Sequence, residues 1–306
     1  MRIVRYKVHD ELHLGVCVND KVIEIPILRN KKVQSFLDLA LEASKKGTSI
    51  DNLVKTLVND MKSLPPTFPY EKLERGEGDR RLAIPLDPPE VWGCGVTYKK
   101  SREAREFETG IKGVYNLVYD APRPEIFFKA TAHRCVGPGE EICIRGDSHW
   151  NVPEPELAFV LGVNQEIIGF TIANDVSSRD IEGENPLYLP QAKIYQGCCA
   201  LGPSVVTVEE VGTEPKLEIK CRVLRSGNVI FKGSTNTSQM KRSLEELRFY
   251  LCAYNPVPPG SVCMTGTGII PPNDFSLEED DIVEISIEKI GTLRNRVKKL
   301  RPFVRS

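Results

Sequence analysis

Pro153-Glu154-Pro155-Glu156-Leu157-Ala158-Phe159-Val160-Leu161 is the stretch on which the fold turns. It opens on two acids and runs on into apolar residues, the pattern of a strand with a polar mouth. Side chains alternate faces along a strand, so Glu154 and Glu156 point the same way. Two carboxylates side by side repel unless a cation sits between them. A hard divalent ion such as Mg²⁺ takes carboxylate oxygens and would serve. The prolines suit a sheet edge, where a missing N–H costs no ladder bond. The plain alternative is therefore a solvated edge strand with no ion.

A third acid follows in Thr171-Ile172-Ala173-Asn174-Asp175-Val176-Ser177-Ser178-Arg179-Asp180, where the apolar strand 167–173 ends in a polar cluster. Asp175 is the natural third carboxylate, and the alternative is an Asn/Asp turn that caps backbone groups. Lys193 lies in Leu189-Pro190-Gln191-Ala192-Lys193-Ile194-Tyr195-Gln196-Gly197. Lysine is usually a surface charge, but this apolar, glycine-ended setting gives it a buried or substrate-facing alternative. In Arg123-Pro124-Glu125-Ile126-Phe127-Phe128-Lys129, residues 125, 127 and 129 share a face. That arrangement suits a pocket and a surface ion pair equally. Thr265-Gly266-Thr267-Gly268 follows an apolar strand and offers close backbone approach with hydroxyl donors. It lacks the Gly-Lys-Ser/Thr ending of a phosphate loop.

Outward from these motifs, strand-like runs dominate: 126–128, 142–144, 157–161, 167–173, 205–208, 217–224, 229–231, 262–264, 282–287 and 293–297. Gly291-Thr292 reads as the turn joining the last two. One helix stands out at 238–254, with Ser238 as its N-cap and Met240, Leu244, Leu247, Leu251 and Tyr254 at helical spacing. Residues 1–29 read as a meander of short strands. A helix from Val33 to Gly47 follows, then a second, capped by Ser49, that reaches Met61. The tract from Pro66 to Pro89 is rich in Pro, Gly and charge, which places a boundary near residue 85. The expected fold is α+β, with a small N-terminal α/β domain at 1–85 and a β-rich mixed-sheet catalytic domain at 86–306. Gly93-Cys94-Gly95 is a poor dinucleotide motif, because Tyr98 stands where a third glycine belongs and no βαβ unit follows. The charged segment 98–108 and the stretch 111–119 read as helices of a mobile cover.

The composition narrows the function. Lys and Arg number 41 against 42 Asp and Glu, a net charge of −1, which argues against nucleic-acid binding through a basic surface. No apolar run approaches the ~20 residues of a membrane span, and the first residues lack a signal-peptide core. The 9 cysteines are odd in number and form no Cys-x-x-Cys pair, so they read as reduced thiols of a cytoplasmic protein.

In their order, these strings resemble the fumarylacetoacetate hydrolase superfamily. The strings are Arg-Pro-Glu-Ile-Phe-Phe-Lys, Pro-Glu-Pro-Glu-Leu-Ala, Asn-Asp-Val-Ser-Ser-Arg-Asp, Lys193 before Leu201-Gly202-Pro203, Thr-Gly-Thr and Ile290-Gly291-Thr292-Leu293-Arg294-Asn295. The resemblance covers about residues 90–300. It implies Mg²⁺, or another divalent cation such as Mn²⁺ or Ca²⁺, on Glu154, Glu156 and Asp175. On a metal held there, the expected catalytic pair is Glu125 for proton transfer and Lys193 to stabilise an enolate or orient the substrate, with their roles interchangeable, and Lys129, Arg179, Gln191 and Thr267 are the expected substrate contacts. It also implies a homo-oligomer, a dimer or tetramer, acting on a small 2-oxo acid, with no nucleic-acid or membrane partner. Hydrolases of the family carry Asn-Tyr-x-x-His, whose His activates water. Here the stretch is Thr97-Tyr98-Lys99-Lys100-Ser101, so a hydrolytic dyad is missing. The strings Glu184-Asn185-Pro186-Leu187-Tyr188-Leu189-Pro190-Gln191 and Gly197-Cys198-Cys199-Ala200 are most like those of sugar-acid dehydratases of the family. The expected reaction is therefore loss of water from a 2-keto-3-deoxypentonate to give 2,5-dioxopentanoate in pentose breakdown. An acylpyruvate hydrolase, a hydratase or decarboxylase, and a non-catalytic binding protein of the same fold are the alternatives.

Overall fold

The computed structural model describes residues 1–26, 33–60, 65–101 and 118–302. The expected cover segment falls mostly outside these residues, as does Met61. Among the described residues two large sheets stack face to face. The first has 12 strands, with the order Thr67–Pro69, Lys21–Glu24, Glu11–Val18, Arg2–Val8, Cys199–Thr207, Ile167–Asp175, Pro155–Leu161, Val262–Met264, Val91–Gly95 and Glu125–Ala130. Arg80–Ala83 and Cys135–Val136 branch from it. The second has five strands, in the order Asn228–Asn236, Glu218–Arg225, Ile282–Ile287, Gly291–Lys299 and Glu141–Ile144. Most pairs are antiparallel. Val262–Met264 with Val91–Gly95, Gly291–Lys299 with Glu141–Ile144, and Cys199–Thr207 with Cys135–Val136 are parallel. The β-rich mixed sheets expected from the sequence are present.

Alternation explains the layers. Leu157, Phe159, Phe170 and Ile172 face the second sheet and pack on Ile219, Val223, Ile285 and Leu293. Their neighbours Ala158, Val160 and Ala173 face the other way, onto Phe36, Leu39, Leu53 and Val54 of two helices. Pro155–Leu161 is thus buried on both faces along its whole length, which accounts for its unbroken apolar run. It is a central strand, and the edge placement inferred from its prolines is corrected. Pro155 is its first residue, where a proline is tolerated even in the middle of a sheet. Pairing with Val262–Met264 begins only at Ala158, so one flank of residues 155–157 is left for other groups.

Residues 36–45 and 50–59 form the two expected N-terminal helices, capped by Ser35 and Ser49. The strands before residue 85 extend the sheet built by those after it, through Arg2–Val8 on Cys199–Thr207. Two local readings need correction. The later helix runs from Leu244 to Cys252 with Ser243 as N-cap, its Oγ accepting the Glu246 N–H. Thr237–Gln239 is a separate 3-10 turn. Apolar spacing continued across both pieces and hid the break. In the last hairpin Gly291 already belongs to the second strand, opposite Ile287, so the loop is 288–290.

The cap correction is testable. Ser243→Ala should cost about 1 kcal/mol in denaturant unfolding at unchanged slope. Ser238→Ala, at an exposed position outside the helix, should change stability by under about 0.5 kcal/mol.

Candidate metal centre

Strand ends bring the acids together. Glu154 and Glu156 stand at the start of one central strand, and Asp175 ends its neighbour, where Pro155 pairs with Asn174. The backbone locks this register: Asp175 N–H donates to Glu154 O (3.0 Å), and Glu154 N–H donates to Asn174 Oδ1 (3.1 Å). One oxygen from each of Glu154, Glu156 and Asp175 lies within 4.8 Å of the others. All three side chains are buried.

Buried charge of this density needs partners, and the chain supplies them unevenly. The Lys193 ammonium donates to Glu154 Oε2 (2.7 Å), Asp175 Oδ2 (3.0 Å) and Ser177 Oγ (2.6 Å). Arg179 pairs with Glu154 Oε1 at 3.2 Å. Lys129 is wholly buried, with Nζ 2.5 Å from Asp175 Oδ1 and donating to Val176 O at 3.0 Å. Glu156 accepts the Gly266 N–H at 2.6 Å, and it has no ammonium or guanidinium partner among the described residues. The consequences are electrostatic. Burial works against the Asp175 charge, but Lys129 and Lys193 hold that carboxyl below its ordinary range. Burial, reinforced by Asp175 and Glu154, pushes Glu156 well above its ordinary range. Glu156 is the acid whose charge the protein leaves for a cation to meet. An all-oxygen set of three carboxylates suits a hard divalent ion, and the space between them and the cleft walls is about 20 Å³, room for one ion or water. The residues present therefore fit a metal.

Gly266 shows why Thr-Gly-Thr is needed. Its φ is +91°, and a Cβ there would collide with the Thr97 hydroxyl, so only glycine lets the N–H reach Glu156. Thr97 in turn donates to Thr265 O at 2.6 Å. The glycines of Gly93-Cys94-Gly95 likewise make room, for Phe127 and for the Glu125 carboxylate across the sheet.

The expected site residues fall into three groups. Arg179, Lys193 and Thr267 line the cleft with the three acids, together with Gly95, Phe127 and Ser101. The Thr267 hydroxyl donates to Pro155 O at 2.9 Å. Glu125 stands just outside, its carboxylate packed over Gly95. Lys129 lies behind Asp175 rather than in the cleft, and Gln191 is exposed and lines no part of it. Ser101 does face the cleft, its Oγ donating to Tyr98 O at 2.7 Å. The sequence reading overlooked Ser177 and the Gly266 N–H. Period-two alternation from Asp175 could have revealed Ser177. A backbone donor leaves no side-chain signal.

Two measurements follow from the charge distribution. With Glu156 raised, the metal-free folded state binds more protons than the unfolded chain above about pH 4.5. Its unfolding free energy should therefore fall as pH rises through the range above 4.5. Thermal melts should show this slope, and Glu156→Gln should remove both the slope and any gain in Tm on adding Mg²⁺. Lys129→Met, which takes one of its two lysines from the buried Asp175, should cost about 3–5 kcal/mol in denaturant unfolding without substrate. A purely substrate-binding lysine would leave that stability unchanged.

Residues 90–298 match the family described as fumarylacetoacetate (FAA) hydrolase, C-terminal. The 2-dehydro-3-deoxy-D-arabinonate dehydratase of Saccharolobus solfataricus is 53% identical over 227 residues, 73% of this chain and 76% of that protein. The probable 2-keto-3-deoxyxylonate dehydratase of Haloferax volcanii is 49% identical over 265 residues, covering 87% and 88%. A solved structure of 2-keto-3-deoxy-D-arabinonate dehydratase complexed with magnesium and 2,5-dioxopentanoate superposes with a TM-score of 0.81 at 41% identity, covering 99% of this chain and 100% of that one. The chain belongs to the fumarylacetoacetate hydrolase family.

Proposed function

We propose that the protein is a Mg²⁺-dependent hydro-lyase that converts 2-keto-3-deoxy-D-arabinonate to 2,5-dioxopentanoate in pentose breakdown. The similar dehydratases, one of them complexed with magnesium and 2,5-dioxopentanoate, support this reading. The observation that carries it is the make-up of the cleft. Three acids meet a lysine there, and position 101, where the hydrolases of the family hold their water-activating histidine, is serine. The Ser101 hydroxyl is already committed to Tyr98 O and is no base near neutral pH.

Glu154, Glu156 and Asp175 would hold the ion. When bound, it supplies Lewis acidity to a 2-oxo acid, drawing charge onto the keto oxygen and acidifying the C3 protons. Glu125 is the proton-transfer group in this reading. Its carboxylate lies over Gly95 at the cleft wall, within the reach of a substrate seated there. Lys193 offers an ammonium beside the acids to orient the substrate or to meet the charge that builds on its keto oxygen. Glu125 and Lys193 exchange roles in a variant of the same scheme. Arg179 and Thr267 line the pocket as substrate contacts. The C3 proton and the C4 hydroxyl leave as water, C5 and its hydroxyl each give up a proton, and one proton returns to each of C3 and C4. Oxidation at C5 balances reduction at C4, so no redox cofactor is required. We further propose a cytoplasmic homo-oligomer, a dimer or tetramer. The free thiol state of all nine cysteines supports the compartment.

Incubation with 2-keto-3-deoxy-D-arabinonate and Mg²⁺ should release an aldehyde, and a chelator should stop it. An aldehyde yield indifferent to chelator would sink the metal-dependent reading. Glu125→Gln should lower kcat by about 10²–10⁴-fold and suppress exchange of the C3 hydrogens with solvent. Near-normal exchange in that variant would reassign the base.

A further inference from the structure

The structure assigns Ser177 the role of positioning residue for Lys193, as the uncharged acceptor that keeps the ammonium at the cleft when a cation takes up the carboxylates. This rests on the metal-dependent reading above. Ser177 is wholly buried in the short strand Ser177–Ser178, paired with Asn151–Val152. Its hydroxyl proton goes to Asp175 O at 2.9 Å. Its lone pairs therefore face Lys193 Nζ, 2.6 Å away, and it acts toward the lysine as an acceptor.

Two further acceptors of that ammonium, Glu154 and Asp175, belong to the set that would hold the metal. Lys193 and a divalent ion thus compete for the same oxygens. An ammonium stripped of both carboxylates with nothing in their place would be a buried, poorly solvated cation, and that cost would weaken the metal. Ser177 lowers it. It carries no charge, so it does not attract the incoming ion strongly, and its proton is spent on a backbone carbonyl, so it stays oriented throughout. Asn151 and Ser178 reinforce the strand through Ser178 Oγ to Asn151 Oδ1 at 2.9 Å, a bond that does not involve Lys193. Ser178 is the internal control for effects of strand packing alone.

The test measures Mg²⁺ affinity by calorimetry without substrate, beside steady-state kinetics. Ser177→Ala should weaken Mg²⁺ binding by about tenfold and lower kcat by a similar factor, with KM within about twofold. Ser177→Thr, which keeps the hydroxyl, should recover most of both. Ser178→Ala should bind Mg²⁺ like the parent protein. The assignment is overturned if Ser177→Ala binds Mg²⁺ and turns over like the parent, if Ser177→Thr is as impaired as Ser177→Ala, or if Ser178→Ala reproduces the loss. Should Ser177→Ala not fold, Ser177→Thr and Ser177→Gly decide: equal affinities for Mg²⁺ overturn it. Failure of the parent protein to show metal-dependent dehydration would instead strike the functional reading on which this one rests.

Discussion

Three carboxylates held within 4.8 Å of one another and away from water set the terms for everything around them. Such a cluster is unstable unless each charge is met or removed. Two strands bring the acids together, and the residues that follow them in the chain deliver the cations. Arg179 and Lys193 both come from the segment after Asp175, while Lys129 reaches the site from Glu125–Ala130, the last strand in the order of the same sheet. Glu156 alone is left to a backbone N–H. The same imbalance that raises its proton affinity prepares it for a divalent ion, because metal and proton compete for one carboxylate.

Much of this centre was legible in the residues. Glu154 and Glu156 shared a face because strand side chains alternate, and Asp175 ended an apolar strand, so both inferences rested on local periodicity. The partners were not legible in the same way. Lys129 could be tied to Asp175 only by knowing that Glu125–Ala130 lies three strands beyond Pro155–Leu161 in the sheet. The Gly266 N–H carries no side-chain mark at all. Gln191 sits beside Lys193 in sequence, yet it points to solvent while Lys193 is buried, since a short helix at Leu189–Lys193 turns its successive residues to different sides.

The fold was read well where alternation and capping spoke, and misread where they conflicted with context. Prolines in Pro153-Glu154-Pro155 argued for an edge. A proline at the first strand position meets the same chemical demand in the middle of a sheet, because no ladder bond is required of it there. Apolar spacing likewise joined Thr237–Gln239 to Leu244–Cys252 and put at Ser238 the cap that Ser243 supplies. Only Ser243 has the N3 backbone N–H in reach of its side chain.

The first strand carries a further consequence, for how the chain is made. Along one edge of Arg2–Val8, residues 5–8 meet Arg80–Ala83, but residues 2–4 wait for Ser204, Val205 and Val206. At about 5–20 residues per second of synthesis, some 200 residues of delay leave that short edge open for about 10–40 s. Ile3 and Val4 are the apolar residues so displayed, and Arg2 and Arg5 bracket them. Charged residues beside an exposed apolar edge discourage pairing with another chain. The two arginines thus guard the nascent protein before they take up their places in the finished one, Arg2 against the Tyr70 ring and Arg5 on Asp87.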